Sequence, residues 1–247
     1  MMERQEIGRI AHRDHPVAAP LSDESVHRLL ERQLRRCPEG RVLDLGCGEG
    51  TWLVRALASY PGLRAVGVDT NAAALEAGRQ TAERAGVARR IGLHHLDVRE
   101  FTSAERFDAV LSVGATYAFG GLSQTLDAVR PLLAPGGTLL LGESYWDGQL
   151  TDRSREFFGD ELTDLPGTVA AVRAAGWWPV AGHTSTRDEL DAYEWAWTGS
   201  LADWALDRPP GPDRDQALEA ADRHRDEWLN EYREGFGFVT LLLRYEG

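Results

Sequence analysis

Short apolar segments alternate regularly with helical segments from residue 41 to the end of the chain, and this alternation is the strongest constraint on the fold. Strands are predicted over 41–45, 63–69, 91–95, 107–113, 138–142, 178–183 and 238–245. Helices are predicted over 22–37, 51–59, 71–86, 121–133 and 165–175. Strands that alternate with helices favour a parallel sheet covered on both faces. The last strand follows another strand and a further helical stretch, so we expect a seven-stranded, mostly parallel α/β sheet whose last strand is antiparallel.

The chain divides into a short arm and one large domain. Residues 1–20 show no clear periodicity and are predicted to form an irregular N-terminal arm. Residues 21–247 are predicted to form the domain, with a helical insert over about 186–232 that is rich in charge and tryptophan. The N-terminal residues lack a long apolar run, so neither a signal peptide nor a membrane span is expected.

Charge and cysteine content narrow the range of partners. The net charge is −12, which disfavours nucleic acid and anionic membranes because binding to phosphate requires Lys and Arg. The two cysteines, Cys37 and Cys47, show no metal-binding spacing and no disulfide framework, so a reducing cytoplasm is the expected location. We expect a small-molecule partner, and a homo-oligomer is possible.

The stretch VLDLGCGEG, residues 42–50, places three glycines where the first strand ends. In a doubly wound sheet the first strand-to-helix turn is the usual cofactor site, and glycine lets the backbone approach a ligand closely. Gly46, Gly48 and Gly50 give GxGxG, and Thr51 occupies the third glycine position of the dinucleotide pattern GxGxxG. The acids Asp44 and Glu49 beside this turn favour a cationic ligand over a pyrophosphate.

VLDLGCGEG resembles motif I of class I S-adenosylmethionine-dependent methyltransferases, and further motifs follow in the order of that family. They are Asp69 after the second strand, Asp97 in HHLDV, FDAVLSV in the fourth strand, and LLAPGGTLLLGE around the fifth. The resemblance covers about residues 40–145 and implies a Rossmann-like fold. Later segments, GATYAFGG, GESYW, the pair Tyr193-Glu194 and GFGF, resemble a bacterial branch that acts mainly on small molecules.

The resemblance also implies how the cofactor is held. The residues expected to bind S-adenosylmethionine are Asp44, Gly46, Cys47, Gly48, Gly50, Asp69, Thr70, Asp97, Val98, Ser112 and Val113. Asp44 would hold the amino group, Asp69 the ribose hydroxyls and Asp97 the adenine amino group, although Asp69 and Asp97 are also consistent with plain helix caps. Two other functions remain open: a nicotinamide oxidoreductase, and a non-catalytic module that binds S-adenosylmethionine.

The methyl acceptor is expected beyond the fourth and fifth strands. Family members that methylate adenine or glutamine carry Asn/Asp-Pro-Pro-aromatic after the fourth strand, whereas this chain has Gly-Ala-Thr-Tyr, which argues against those substrates. His15, Tyr117 and Glu143 are the catalytic candidates, with His15 as a base on an arm that in this family often closes as a lid. The candidate acceptor-binding residues are Tyr117, Phe119, Tyr145, Trp146 and Trp197, for which core packing is the alternative. No metal is expected. The predicted reaction is methyl transfer to a nitrogen or oxygen of a metabolite, with a slight preference for an amine.

Overall fold

The computed structural model describes residues 2–148 and 162–246, which form one seven-stranded sheet with helices on both faces. The strands are β1 (Arg41–Leu45), β2 (Arg64–Asp69), β3 (Ile91–His95), β4 (Phe107–Val113), β5 (Leu133–Trp146), β6 (Trp177–Thr184) and β7 (Phe236–Tyr245). Their spatial order is β3-β2-β1-β4-β5-β7-β6. β7 pairs antiparallel with both β5 and β6, while β1 to β5 are parallel, so the predicted topology is confirmed.

Eight α-helices surround the strands within the described ranges. They are α1 (Arg4–Ala11), α2 (Asp23–Leu34), α3 (Thr51–Ser59), α4 (Ala72–Arg84), α5 (Leu122–Val129), α6 (Leu165–Ala174), α7 (Arg187–Leu206) and α8 (Pro212–Glu227). Short 3₁₀ helices cover Ala88–Arg90, Val98–Glu100, Thr116–Phe119 and Arg130–Leu132, and a π-helical turn covers Trp228–Tyr232. None of the helices in the described part of the chain has the length and apolarity needed to cross a membrane.

Consecutive strand residues point to opposite faces of the sheet, and this divides the core in two. Val42 and Leu140 join the cluster that contains α2 and α3, whereas their neighbours Leu43 and Leu139 join the cluster on the other face. Leu126 of α5 covers that second face. Because both faces are buried, the central strands are nearly continuous apolar runs, as the sequence shows.

The N-terminal arm differs from the prediction of an irregular segment, because residues 4–11 form α1. Ile10 and Ile7 of this helix pack in an apolar cluster whose other members lie mostly in α7 and α8. A helix of 8 residues is marginal in isolation, so it depends on this tertiary packing, which the local sequence does not reveal.

The fifth strand begins earlier than predicted and passes through Pro-Gly-Gly instead of following it. Phe107 pairs with Leu133 and Ala109 with Thr138, so several extra residues of β5 bulge out between these two pairs. Gly136, with φ at +78°, provides the left-handed conformation that this bulge needs.

Candidate cofactor and acceptor site

The turn between β1 and α3 is built on three glycines in the left-handed region. Gly46, Gly48 and Gly50 have φ angles of +84°, +52° and +67°. The N–H groups of Gly46 and Cys47 both donate to the carbonyl of Val68, at 2.9 and 3.1 Å, which ties the turn to the end of β2. The turn therefore stays at the carboxyl edge of the sheet, where ligands bind in open α/β folds.

Two of these glycines are required for different reasons. A Cβ atom on Gly46 would lie 2.5 Å from the Cβ of Ala115, so the turn packs directly against the chain that leaves β4. A Cβ atom on Gly48 would meet nothing within 4 Å, because Gly48 faces an open crevice. The first glycine permits close packing, and the second keeps the backbone accessible from the crevice.

Asp44 lies at the base of this crevice and is 2% exposed. Its Oδ2 atom has no hydrogen-bond partner among the described residues. Burial, with the nearby charge of Asp69, raises the pKa of Asp44 to about 8. A buried carboxyl group without a partner is costly for the free protein and is suited to receive a cationic group of a ligand.

Asp69 connects the glycine turn to the start of α4. Its Oδ2 accepts from the N–H of Gly48 at 2.7 Å, and its Oδ1 accepts from the N–H of Asn71 at 2.8 Å. The helix itself is capped by Asn71, whose side chain accepts from the N–H of Ala74. Each carboxylate oxygen retains a second acceptor position, so Asp69 is still able to bind hydroxyl groups.

Asp97 caps the 3₁₀ helix Val98–Glu100 and pairs with Arg99. Its Oδ1 accepts from the N–H of Arg99 at 2.9 Å, and its Oδ2 lies 2.6 Å from the guanidinium. Hydrogen bonds from the Arg99 side chain, followed by the one from its N–H, lower the pKa of Asp97 to about 2. Asp97 therefore acts as a helix cap in the free protein, which was the alternative interpretation of its sequence position. It also lines the crevice.

The crevice along the carboxyl edge is formed by two adjoining cavities, one of about 230 Å³ beside the glycine turn and one of about 670 Å³ beside Asp69 and Asp97. Sites for small molecules typically measure about 300–1,000 Å³. The residues expected to bind cofactor that line it are Asp44, Gly46, Cys47, Gly48, Asp69, Thr70, Asp97, Val98 and Val113. Gly50 and Ser112 do not line it, because Gly50 leads into α3 and the Ser112 side chain is fully buried.

The outer wall of the crevice comes from the N-terminal arm and the helical insert. Gly8, Arg9 and His12 belong to α1 or its C-cap, and Tyr193 belongs to α7. The Nδ1 atom of His12 is buried without a partner among the described residues, and its ring lies 5.6 Å from that of Tyr193. Burial first, then the nearby His15 and His224, lower the pKa of His12 to about 4.

The structure gives His15 a different position from the one expected of a base. One of its ring nitrogens lies 2.7 Å from the carbonyl oxygen of Val17, and the ring meets Tyr193 edge-on at 5.3 Å. His15 lines neither cavity of the crevice, because the chain turns after α1 and directs His12 to that wall.

A third cavity adjoins the crevice at Tyr117, which is 82% exposed and lines both the crevice and this cavity. Glu143, near the end of β5, lines this cavity, which lies where the acceptor was expected and is called the acceptor cavity for that reason. Its Oε1 accepts from the N–H of Ser144 at 3.1 Å, while its Oε2 is buried and has no partner among the described residues. Burial raises the pKa of Glu143 above its ordinary value, against the opposing effect of hydrogen bonding with the Thr116 side chain and the Ser144 N–H. The other side chains around the cavity are mostly small or hydroxylated, namely Thr116, Leu122, Ser123, Ser144, Leu162, Thr163, Thr168 and Ala171.

The other aromatic residues expected to bind the acceptor pack inside the protein. Phe119 and Tyr145 belong to the core cluster on the α5 face. Trp146 packs edge-on against Phe236, and Trp197 stacks on His224 at 4.0 Å. These four side chains support the sheet end and the helical insert, and none of them lines the crevice or the acceptor cavity.

Several residues of the site carry only weak sequence signals. Arg9 and His12 lie in a short helix with few apolar positions, and Thr116 and Thr168 are single hydroxyl residues in unrelated segments. Tyr193 belongs to the Tyr193-Glu194 pair of the resemblance, so the sequence did indicate this residue of the crevice wall. The described residues hold no group of three or more His, Cys, Asp or Glu side chains arranged to bind a metal ion.

The sequence profile of a methyltransferase domain family matches residues 42–137. Over all of both chains, the fold matches the crystal structure of an S-adenosylmethionine-dependent methyltransferase from Geobacter sulfurreducens bound to S-adenosylhomocysteine, with 25% identity and a TM-score of 0.90. A corresponding complex from Thiobacillus denitrificans matches over 99% of each chain, with 26% identity and a TM-score of 0.88. The chain belongs to the class I S-adenosylmethionine-dependent methyltransferases, and the nicotinamide and non-catalytic alternatives are set aside.

The Escherichia coli protein YjhP is similar to this chain over nearly the whole length of both proteins. It is 30% identical over 98% of this chain and 99% of its own length. Its X-ray structure matches 97% of this chain and 99% of the YjhP chain, with 26% identity and a TM-score of 0.87.

Proposed function

We propose that this enzyme transfers the methyl group of S-adenosylmethionine to a nitrogen of a small-molecule metabolite. The observation that carries the proposal is the buried, unpartnered carboxyl oxygen of Glu143 in a cavity that meets the cofactor crevice at Tyr117. A cationic amine is the acceptor that best matches a buried acid. Methyl transfer to a hydroxyl oxygen is the second candidate.

The cofactor would lie along the carboxyl edge of β1, β2 and β4. Asp69 and Thr70 would hold the ribose and border the adenine, with Asp97 and Val98 at the far end. The methionine part would extend over Gly46 and Gly48 toward Asp44. The pairing of β1 with β4 ends at Asp44 and Leu111, so the backbone of Ser112 and Val113 continues beyond β1 beside this part of the crevice. In this arrangement α1 acts as a lid over the methionine end.

The sulfonium is already a good electrophile, so the main contribution of the protein is alignment. Holding acceptor, methyl carbon and sulfur in line contributes about 7–11 kcal/mol in well-oriented systems. An acceptor that enters as an ammonium must first lose a proton. Glu143 would accept that proton, and the freed nitrogen lone pair would form the new bond to the methyl carbon while the carbon–sulfur bond breaks. S-adenosylhomocysteine then leaves, and Glu143 returns its proton to water.

The raised pKa of Glu143 supports this role, because a base with a pKa nearer the working pH is a better proton acceptor than an ordinary carboxylate. His15 is not assigned a role, because its ring bonds to the Val17 carbonyl away from the crevice. The net charge of −12 favours a neutral or cationic metabolite over nucleic acid.

Transfer of a labelled methyl group from S-adenosylmethionine into a metabolite extract tests the proposal. The labelled product is expected to be an N-methylated amine. Glu143→Gln should lower kcat for this product by at least about 100-fold, the usual effect of losing a general base. Tyr117→Ala should mainly raise KM for the acceptor. Glu83→Gln, which alters an exposed acid of α4, is the matched control and should retain full activity.

An O-methylated product would instead favour the second candidate. Full activity of both Glu143→Gln and Tyr117→Ala would place the acceptor outside this cavity.

A further inference from the structure

The crevice beside the glycine turn carries an arginine on the wall opposite its buried acid. Asp44 and the glycines form the inner wall, which belongs to the sheet edge. Gly8, Arg9 and His12 form the outer wall, which belongs to α1 and its C-cap. Residues four apart lie on the same side of a helix, so Gly8 and His12 share one side and Arg9 flanks it.

Arg9 forms no ion pair and no side-chain hydrogen bond within residues 2–148 and 162–246. The other arginine that lines the crevice, Arg99, is paired with Asp97. Arg13, just after α1, is paired with both Asp14 and Asp203. A guanidinium at the rim of a cavity without an acidic partner is available to a ligand.

Contacts with the rest of the protein hold helix α1 in position, and they thereby fix the backbone position of Arg9 relative to the crevice. The opposite side of the helix packs on the insert, where Ile10 joins the cluster formed by Leu201, Ala205 and neighbouring alanines. Met2 exchanges two hydrogen bonds with the side chain of Gln216. After the helix, the carbonyl of Pro16 accepts from the Thr51 hydroxyl at 3.1 Å, which connects the arm to the start of α3.

The two walls match the two charges of an α-amino acid. The methionine part of the cofactor carries an ammonium group and a carboxylate. The acid on the inner wall is suited to the ammonium, whereas a carboxylate there would be repelled by Asp44 and by Glu49, which also lines the cavity. Guanidinium groups bind carboxylates through two parallel hydrogen bonds, and Arg9 is the unpaired arginine on the described wall.

We propose that Arg9 binds the carboxylate of the cofactor's methionine part, which makes α1 a component of the cofactor site as well as its cover. This inference rests on the proposed placement of the cofactor in the crevice. It also implies that ligands without the carboxylate bind without engaging Arg9.

Calorimetric titration with two ligands tests the inference independently of any methyl acceptor. S-adenosylhomocysteine carries both charges, whereas its decarboxylated analogue retains the amine and lacks the carboxylate. Arg9→Gln is expected to weaken binding of S-adenosylhomocysteine by about 10- to 100-fold, the range for a charge-assisted hydrogen bond. The same substitution should leave the affinity for the decarboxylated analogue unchanged. Arg36→Gln, an equal change of charge at an exposed site outside the crevice, should alter neither affinity.

Each other outcome overturns the inference in a recognisable way. An equal loss for both ligands would mean that Arg9 acts by holding α1, and no loss for either would mean that Arg9 does not touch the cofactor. Unchanged thermal unfolding of Arg9→Gln excludes a folding defect as the cause. If the unaltered protein failed to bind S-adenosylhomocysteine, the placement of the cofactor itself would be wrong, and with it this inference.

Discussion

At the scale of single residues, the site is defined by acids with contrasting surroundings at neighbouring strand ends. Asp97 is held charged by Arg99, Asp69 accepts two backbone N–H groups, and Asp44 and Glu143 each bury an oxygen without a partner. Carboxyl groups that are already satisfied contribute to the fold, whereas buried, unsatisfied ones store unfavourable free energy that a ligand relieves. We therefore expect Asp44 and Glu143 to contact bound ligands directly.

Asp44→Asn is predicted to stabilise the free protein and to weaken cofactor binding. The folded-state pKa of Asp44, about 8, lies above its unfolded value, so its unfavourable effect grows as the pH rises from about 4 to about 8 and is complete above that range. Denaturant unfolding at pH 8 should give the variant a free energy of unfolding that is higher by about 1–4 kcal/mol, and at pH 4 the difference should largely disappear. Calorimetry with S-adenosylhomocysteine at pH 8 should show at least about tenfold weaker binding. A less stable variant with unchanged affinity would contradict this account of Asp44.

At the scale of helices and strands, the sequence-based predictions were most accurate for elements that a local pattern of apolar residues defines. β1, β3 and β4 were predicted at their observed bounds, since buried parallel strands appear as short apolar runs between helices. α1 was missed because three apolar side chains in a short segment do not make a helical period. The aromatic residues expected to bind the acceptor pack inside the protein for a related reason: Tyr145 and Trp146 end β5 at the expected edge of the sheet, but only tertiary packing directs their side chains into the interior.

Helix α1 is predicted to contribute to cofactor binding through its packing on the insert. Ile10, which is 3% exposed, contacts this cluster, and Ile10→Ala should cost about 2–5 kcal/mol of stability. Because α1 and its C-cap carry Gly8, Arg9 and His12, the same change should also weaken binding of S-adenosylhomocysteine. Leu243→Ala, in the sheet core away from the crevice, is the matched control and should lower stability without altering affinity. If Ile10→Ala and Leu243→Ala bound S-adenosylhomocysteine with equal affinity, α1 would not contribute to cofactor binding.

At the scale of the whole molecule, Glu189 connects the insert to the beginning of the domain. Its Oε1 accepts from the N–H of Ser22 at 2.8 Å, and its Oε2 lies 2.8 Å from a ring nitrogen of His183 and accepts from the N–H of Thr186 at 2.9 Å. Helix α2, β6 and α7 thus meet at one carboxylate. Burial opposes its ionisation, but the hydrogen bonds from Ser25, Ser22, Thr186 and His183 together lower the pKa of Glu189 below its usual range.

Glu189→Gln is predicted to reduce the acid sensitivity of the fold. A carboxyl group with a depressed folded-state pKa stabilises the protein above its unfolded pKa of about 4.3, and this contribution is lost as the pH falls below that value. In urea unfolding between pH 7 and pH 3, the variant should be less stable than the unaltered protein at pH 7, and the difference should narrow as the pH falls from about 4.3 to 3. Glu83→Gln, at an exposed acid, is the control and should follow the unaltered protein throughout. A constant difference across the whole range would show that the charge of Glu189 does not contribute.

The central claim is that the carboxyl-edge crevice of this enzyme is the cofactor site. A crystal structure of the complex with S-adenosylhomocysteine tests it most directly. The account predicts the nucleoside in the crevice, with its ribose hydroxyls on Asp69, its adenine beside Asp97 and Val98, and its amino group at Asp44. An empty crevice, or the nucleoside bound in another cavity of the molecule, would contradict it.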